Sequence, residues 1–343
     1  MLASLSRLQA LVVLAGLVLL AALALTIHAE PGGTAITGSG TYSDVKLYVD
    51  IAQAVSGGEG YYHAATRLHR AHGFPTSPFV TVRLPTLAWI EAALGLKAAH
   101  LLLGALLAIT ALAWYAMLRP LGSAAERLGA PLLVLVGGAM VASANLVVTH
   151  ELWAGVLVAL ATALLARGLW VPALLTVACA LAIRELALPF VPIAAFWALR
   201  GGRKREAAGW IALFAAYAIA LYLHKLAVTP FSLPGDALSQ GWGGMRGPAA
   251  PLRDVVDVTL LNLLPPPLSY LVALLALTGF LGAPTPLARI ALPWLGAVVV
   301  LLAGFARPVN FYWAILAVPM VTAGLAFVPR MARQLVEALR RPA

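Results

Sequence analysis

Hydrophobic positions in this chain are grouped in long apolar runs that are separated by polar or proline-rich breaks. An α-helix needs roughly 20 mostly apolar residues to cross a ~30 Å hydrocarbon core, and the longest runs reach that length. The first run is longer than the apolar region of a signal peptide, so it predicts a membrane anchor. The pattern predicts about ten transmembrane helices, at about residues 8–27, 97–118, 130–148, 152–167, 169–183, 186–200, 208–228, 267–282, 290–306 and 311–328.

The composition supports this interpretation of the runs. Hydrophobic residues make up 62% of the 343 positions and charged residues only 10%. A soluble globular domain carries about 25% charged residues, so that class is excluded. We therefore expect an all-α polytopic membrane protein whose residues 1–343 form a single integral-membrane domain.

The charges are distributed unequally between the two sides of the predicted spans. With the N-terminus in the cytoplasm, the inner side holds thirteen basic and three acidic residues, and the outer side holds ten of each. This is the positive-inside pattern, and it accounts for the whole net charge of +10 without a nucleic-acid partner. It predicts cytoplasmic termini and a basic tail at 329–343 on the anionic inner leaflet. The helical spans themselves suit a bacterial inner membrane. The basic run at 201–206 is interpreted as a topology signal.

Two large outer segments remain, at 28–96 and 229–266. In the first, apolar residues recur every three or four positions between 44 and 56, which predicts an amphipathic helix along the interface. Asp44 lies above its apolar stripe, whereas Asp50 is placed to pair with Lys46. Thr41-x-x-Asp44 also has the form of a capping box, so Asp44 is either a helix cap or a functional acid.

Aromatic and histidine side chains follow this helix, at Tyr61, His63, His69 and His72. The histidines could form a metal cluster, but no acidic or cysteine ligand is spaced to complete it, so a divalent metal is possible without being supported. A surface that contacts a sugar or a phosphate is the favoured interpretation, and no cofactor is expected.

Ionisable residues also occupy the outer ends of later spans. They are His150 and Glu151, Arg184 and Glu185, and Arg307 with Asn310 and Tyr312. The runs beside Arg184 are too short for a ~30 Å core, so this turn should lie below the outer surface. Charges at such depth indicate function or a buried ion pair, and both alternatives remain open.

All these turns should open on the face that carries the first outer segment, so Asp44, Arg83 and the three ionisable turns could line one cavity. Arginine binds two phosphate oxygens at once, and a neighbouring carboxylate can accept a proton from a hydroxyl. Together they predict transfer of a group from a phosphate carrier to an alcohol. In the second segment, Trp242 could stack on a sugar ring or belong to the interfacial tryptophan belt.

The first outer segment resembles that of the GT-C superfamily of polytopic glycosyltransferases. The resemblance rests on Asp44-x-x-x-Tyr48 with Ala52, on Gly58-x-Gly60-Tyr61, and on Arg83-x-Pro85. It implies a polyprenyl-phosphate sugar donor, a lipid, glycan or protein acceptor, and a periplasmic active site in the cell envelope. It also implies Asp44 as the general base and Arg184 or Arg307 as the ligand of the donor phosphate.

The chain also departs from that family. No adjacent acidic pair occurs in the first outer segment, and the stretch after the last predicted span is short. These features favour a compact hexosyl- or pentosyltransferase. The alternatives are a transporter or flippase of lipids or small solutes, which should carry charges near the bilayer midplane, and a non-catalytic envelope scaffold.

Overall fold

The computed structural model describes residues 2–27, 42–239, 241 and 243–341, and throughout these ranges the regular structure is helical apart from an isolated bridge between Ser77 and Leu238. The α-helices are α1 (Arg7–Leu25), α2 (Asp44–Ser56), α3 (Tyr61–Ala71), α4 (Thr86–Leu94), α5 (Leu96–Leu118), α6 (Ala124–Gly137), α7 (His150–Ala166), α8 (Trp170–Ile183), α9 (Phe190–Arg200), α10 (Lys204–Val228), α11 (Ala250–Asp257), α12 (Pro266–Gly279), α13 (Thr285–Gly304), α14 (Val318–Val321) and α15 (Val328–Leu339). Short 3-10 segments connect several of them.

Five helical segments are long and apolar enough to cross a membrane. They comprise α1, α5, α13, α6 with its 3-10 extension to Ala142, and α10 with its extension to Phe231. A sixth candidate is the pair Pro308–Leu316 and Val318–Leu339, which is bent by 56° at a short break. The structure thus supports a helical membrane protein with five or six candidate spans, and the predicted number of ten is not established.

The remaining apolar helices are too short to span on length alone. At ~1.5 Å per residue, the 14 residues of α8 cover about 21 Å and the 11 residues of α9 about 16 Å. Protein rather than lipid surrounds α7, because every residue from His150 to Ala163 is buried. A helix that is apolar on all sides is either a membrane span or part of a protein core, and the burial of α7 indicates a core position. α7 is therefore the central helix of the bundle, and α5, α8 and α13 pack against it.

The two ends of the chain meet at one end of the bundle. Leu2 packs with Met331 and Leu335 of α15, and Arg341 Nη1 donates to the carbonyl of Leu5 over 3.4 Å. At the same end, Arg330 Nε donates to the Glu126 carboxylate over 2.7 Å. These contacts bring together charged residues that the sequence assigns to the inner side.

The described part of the first outer segment, residues 42–96, forms a helical layer at the other end of the bundle. α2 packs on α3 and α4, and Leu47, Ile51 and Tyr61 share a small apolar cluster. The second outer segment joins this layer through the backbone, since the amide of Ser239 donates to the Ser77 carbonyl over 2.7 Å. A bidentate pair between Arg70 and Asp236 reinforces the connection. The outer segments therefore form one connected layer.

Glycines set the spacing between α12 and residues 322–327. A Cβ built on Gly324 would lie 1.8 Å from the Ala276 carbonyl oxygen, so any larger residue would clash with the backbone of α12. Small residues allow such close helix contacts in membranes. We expect Gly324→Ala to lower the stability of the protein by about 1–3 kcal/mol, as overpacking usually does.

The measurement is the thermal unfolding temperature of the purified protein in detergent. Gly296→Ala in α13 is the matched control, because a Cβ there meets nothing within 4 Å. Equal unfolding temperatures for the two variants would contradict the assigned role of Gly324.

Candidate functional site

The candidate site begins at the N-terminus of α2. Ser43 is the N-cap, and its hydroxyl accepts a hydrogen bond from the Lys46 amide over 3.2 Å. The capping box predicted from Thr41 and Asp44 is therefore wrong in register, because Asp44 is the first helical residue; Thr41 itself lies outside the described residues. Asp44 still benefits from the helix dipole, and its carboxylate is available for tertiary contacts.

Asp44 is partly buried among groups that the sequence placed in distant segments. Tyr312 hydrogen-bonds its carboxylate, and Arg83, Glu151 and Arg184 lie close enough to act on it electrostatically. Burial raises the pKa of Asp44 above the usual aspartate value, and Glu151 raises it further, while Arg83, the Tyr312 hydrogen bond and Arg184 oppose the rise. A carboxylate with a raised pKa is a stronger base than a solvated aspartate.

Arg83 is held beside Asp44 by contacts to two different elements. The Tyr61 hydroxyl donates to the Arg83 carbonyl over 2.6 Å, which fixes the backbone. Arg83 Nε donates to the Tyr48 hydroxyl over 3.2 Å, and Nη1 lies 3.4 Å from Glu185 Oε1. The side chain is 13% exposed, and within the described residues its Nη2 has no hydrogen-bond acceptor. Arg83 thus keeps donor capacity for a ligand.

Arg184 occupies the fully buried part of the same cluster. Its Nε lies 2.7 Å from Glu151 Oε1, Nη1 contacts Glu185, and the guanidinium carbon lies 5.8 Å from the centre of the Trp313 ring. The side chain is 0% exposed. This is the structural ion pair that the sequence left as one alternative, and it connects α7, the turn after α8 and the segment 308–316. The Arg184 Nη2 has no hydrogen-bond partner among the described residues, but a ligand would have to open this fully buried site to reach it.

The cluster therefore has a buried inner part and an accessible rim. Three carboxylates and two guanidinium groups face one another, and the His150 ring packs edge-on against Tyr48 at 4.7 Å. Of the charged members, Glu151 and Arg184 are buried, whereas Asp44, Arg83 and Glu185 retain partial exposure. The rim thus offers a base beside a cation, which suits proton abstraction next to a phosphate.

The three predicted histidines of α3 and its end do not join this cluster. His63 Nδ1 lies 2.7 Å from Glu59, and His69 is buried with Nδ1 2.9 Å from the Pro75 carbonyl oxygen. Burial lowers the pKa of His69 to about 4, so it stays neutral. His72 stacks on Tyr42 with ring centres 3.4 Å apart. Across the described part of the chain, no three His, Cys, Asp or Glu side chains are grouped to hold a metal ion.

Arg307 and Asn310 belong to a neighbouring group. Arg307 Nε donates to Asn310 Oδ1 over 3.2 Å, and the backbone at Ala306 lies against Gly244 of the second outer segment. Their chain position places them just before Tyr312, which does reach Asp44. Trp242 lies outside the described residues, so its role stays a prediction.

Two side chains near the cluster were not among the predicted site residues. The Trp313 ring faces Arg184, and Tyr217 of α10 lies close enough to Arg184 and Glu185 to interact with them electrostatically. Their signals were weak, because Trp313 follows the predicted Tyr312 directly and Tyr217 is a single polar group in an apolar run. His224 of α10 is buried and contacts the Tyr62 hydroxyl at 3.2 Å and the Val82 carbonyl oxygen at 2.9 Å.

Tyr217 and His224 line a groove between α4, α8 and α10 with a volume of about 510 Å³. Its walls are mainly apolar, and they include Leu84 beside Arg83 and Ala182 close to Arg184. The groove therefore shares Tyr217 with the surroundings of the charged cluster, since Tyr217 lies close to Arg184 and Glu185.

Comparison of the chain with protein-family models, with curated proteins and with solved structures finds no match.

Proposed function

We propose that this protein is an integral-membrane glycosyltransferase of the GT-C type. It moves a monosaccharide from a polyprenyl-phosphate donor to a hydroxyl acceptor at the outer face of a bacterial inner membrane. The observation that carries the proposal is the partly exposed rim where the Asp44 carboxylate, held by Tyr312, lies near the Arg83 guanidinium. In this assignment, Asp44 is the general base and Arg83 binds the donor phosphate.

The proposed reaction is a direct displacement. Asp44 accepts the proton of the acceptor hydroxyl as its oxygen forms a bond to the anomeric carbon of the donor sugar. The bond from that carbon to the phosphate oxygen breaks, and the polyprenyl phosphate leaves with its negative charge stabilised by Arg83. One base and one displacement invert the anomeric centre.

The apolar groove beside the cluster supports a lipid-linked donor. Its walls between α4, α8 and α10 offer an apolar surface for an isoprenoid chain, and they include Leu84, which follows Arg83 in the chain. The two connected outer segments would hold the acceptor over the rim. The positive-inside charge pattern supports placing this layer outside the membrane, with both termini in the cytoplasm.

Arg83, rather than Arg184 or Arg307, is therefore the preferred phosphate ligand in this proposal. Arg184 is enclosed by two carboxylates, and Arg307 belongs to the neighbouring group with Asn310. Arg83 is partly exposed and lies close enough to Asp44 to lower its pKa.

The test is a mass profile of envelope glycolipids and glycans from cells that lack the gene. A transferase predicts the loss of one sugar-sized mass increment, which wild-type protein restores and Asp44→Asn does not. Substrate flux across proteoliposomes without a mass change would instead support the transporter alternative. If the mass profile does not change when the gene is lost, and no substrate crosses the proteoliposome membrane, only the scaffold alternative remains.

The pH dependence of the transfer rate should follow the ionisation of the Asp44 carboxyl group. The base must be ionised, so the rate falls as the pH drops through the pKa of Asp44, and burial places this limb above the pH expected for a solvated aspartate. Arg83 lowers that pKa, so Arg83→Gln should move the limb to higher pH, whereas Arg83→Lys should largely keep it in place.

The measurement is kcat/KM against pH, with each profile scaled to its own maximum so that weaker donor binding does not interfere. If the limb of Arg83→Gln coincides with that of the wild type, another group is the base.

A further inference from the structure

A second cavity lies at the opposite end of the bundle from the charged cluster. It has a volume of about 800 Å³ and is framed by the end of α9, the start of α10 and the start of α13. Trp170, at the start of α8, lines it, whereas Arg184 follows the other end of that helix. The 14 residues of α8 place the two sites about 21 Å apart. The cavity is therefore separate from the proposed active site.

Its lining is strongly cationic. Five basic side chains contribute to it, namely Arg200, Arg203, Lys204, Arg205 and Arg289. Among the described residues that line it, Glu206 is the only acidic one, and its carboxylate accepts a hydrogen bond from Arg203 Nε over 2.6 Å. Four of the five cations thus have no acidic partner among the described residues, and the lining carries a net charge of +4.

The cations are arranged around a defined space rather than scattered. The Arg289 guanidinium carbon lies 5.2 Å from the centre of the Trp197 ring, a stacking that leaves its N–H edges available. Arg203 Nη2 donates to the Trp197 carbonyl over 3.2 Å, so the turn of Gly201 and Gly202 is anchored to α9. The N-terminus of the 25-residue α10 adds its partial positive charge.

The remaining walls are apolar. Leu165, Ala194 and Ile290 line the cavity together with the rings of Trp170 and Trp197. Tryptophan is enriched at the level of lipid headgroups. A soluble anion would need only the cations, whereas a lipid would use the apolar walls for its chains as well.

We propose that this cavity binds the phosphate headgroup of an anionic membrane phospholipid. The positive-inside rule requires only that basic residues lie near the membrane; it does not require an aromatic-walled cavity around them. Arginine forks on three sides can donate to the phosphate oxygens, and the acyl chains follow the apolar walls. The proposal is independent of the glycosyltransferase assignment.

The test titrates purified full-length protein in detergent with dioleoyl phosphatidylglycerol or dioleoyl phosphatidylcholine, with bound lipid counted by native mass spectrometry. We expect preferential binding of phosphatidylglycerol. Arg205→Gln/Arg289→Gln should weaken that binding on the order of 10- to 30-fold, because each cation near the membrane surface contributes about three- to fivefold. Arg205→Lys/Arg289→Lys should retain most of it.

Arg119→Gln/Arg127→Gln is the matched control, since it removes two cations of the same predicted side outside the cavity. It should change binding by no more than about twofold. Lipid-free unfolding temperatures check the fold of each variant, and Arg289→Gln alone, at an exposed side chain, provides a milder second test.

Equal binding of phosphatidylglycerol by the wild type and the cavity variant would overturn the proposal. So would equal loss in the cavity and control variants, because general surface charge would then account for binding. Displacement of the lipid by an equal concentration of glycerol 3-phosphate would identify a soluble phosphate as the ligand and overturn the lipid assignment.

Discussion

Asp44→Asn should reduce glycosyl transfer on the order of 10²–10⁴-fold, which is the usual contribution of a general base. The asparagine amide has nearly the shape of the carboxylate but cannot accept the hydroxyl proton at neutral pH. Ser43 provides the helix cap, so α2 should form in the variant as in the wild type. The measurement is transfer of labelled sugar from polyprenyl phosphate in proteoliposomes, at equal amounts of inserted protein.

Asp50→Asn is the matched control for this substitution. Asp50 is on the same helix, but it pairs with Lys46 and Tyr42 at the surface of the outer layer. A solvated pair of this kind contributes little to stability, so turnover should stay close to that of the wild type. Near-normal turnover in Asp44→Asn, or equal losses in both variants, would remove Asp44 from the catalytic role.

Arg184→Met should destabilise the protein by about 3–5 kcal/mol, the usual cost of removing one member of a buried ion pair. Glu151 would lose the cation 2.7 Å away from its Oε1, and Glu185 would lose its closest guanidinium. Neither carboxylate would gain full access to water, because Glu151 is buried and Glu185 is only partly exposed. We expect the unfolding temperature in detergent to fall by about 4–7 °C.

The double variant Glu151→Gln/Arg184→Met separates the loss of the pair from the loss of packing. It removes the buried charge that the single variant leaves without its partner, so it should recover part of the stability. Arg67→Met, at an exposed pair with Glu59, should leave the unfolding temperature unchanged. If Arg184→Met behaved like Arg67→Met, Arg184 would not be the structural centre of the cluster.

The local predictions succeeded where a single element carries its own pattern. The helix predicted over 44–56 is observed as Asp44–Ser56, because its apolar residues repeat at the helical period and a serine cap precedes it. The Lys46–Asp50 pair follows from the same period. The partners of the α3 histidines did not follow from the sequence, because it cannot tell which polar side chains face the interior and which meet a local partner. Their predicted role in substrate binding stays a prediction.

The number of spans could not be obtained from apolar runs alone. The run that forms α7 is as hydrophobic as that of α5, yet α7 is enclosed by other helices. Hydropathy reports that a segment avoids water, and both lipid and protein satisfy that requirement. A buried helix therefore need not have the length of the membrane.

By itself, the sequence determined that this is a helical membrane protein, and it identified most of the ionisable residues at the outer turns. Apolar composition and charge placement are local properties, which the chain carries into any fold. Only the tertiary structure decided which of those charges meet. In the folded protein, Arg184 is enclosed between Glu151 and Glu185, whereas Arg83 stays partly exposed near Asp44. The sequence alone could not show this, because the electrostatic environment of a side chain depends on helices that are distant in sequence.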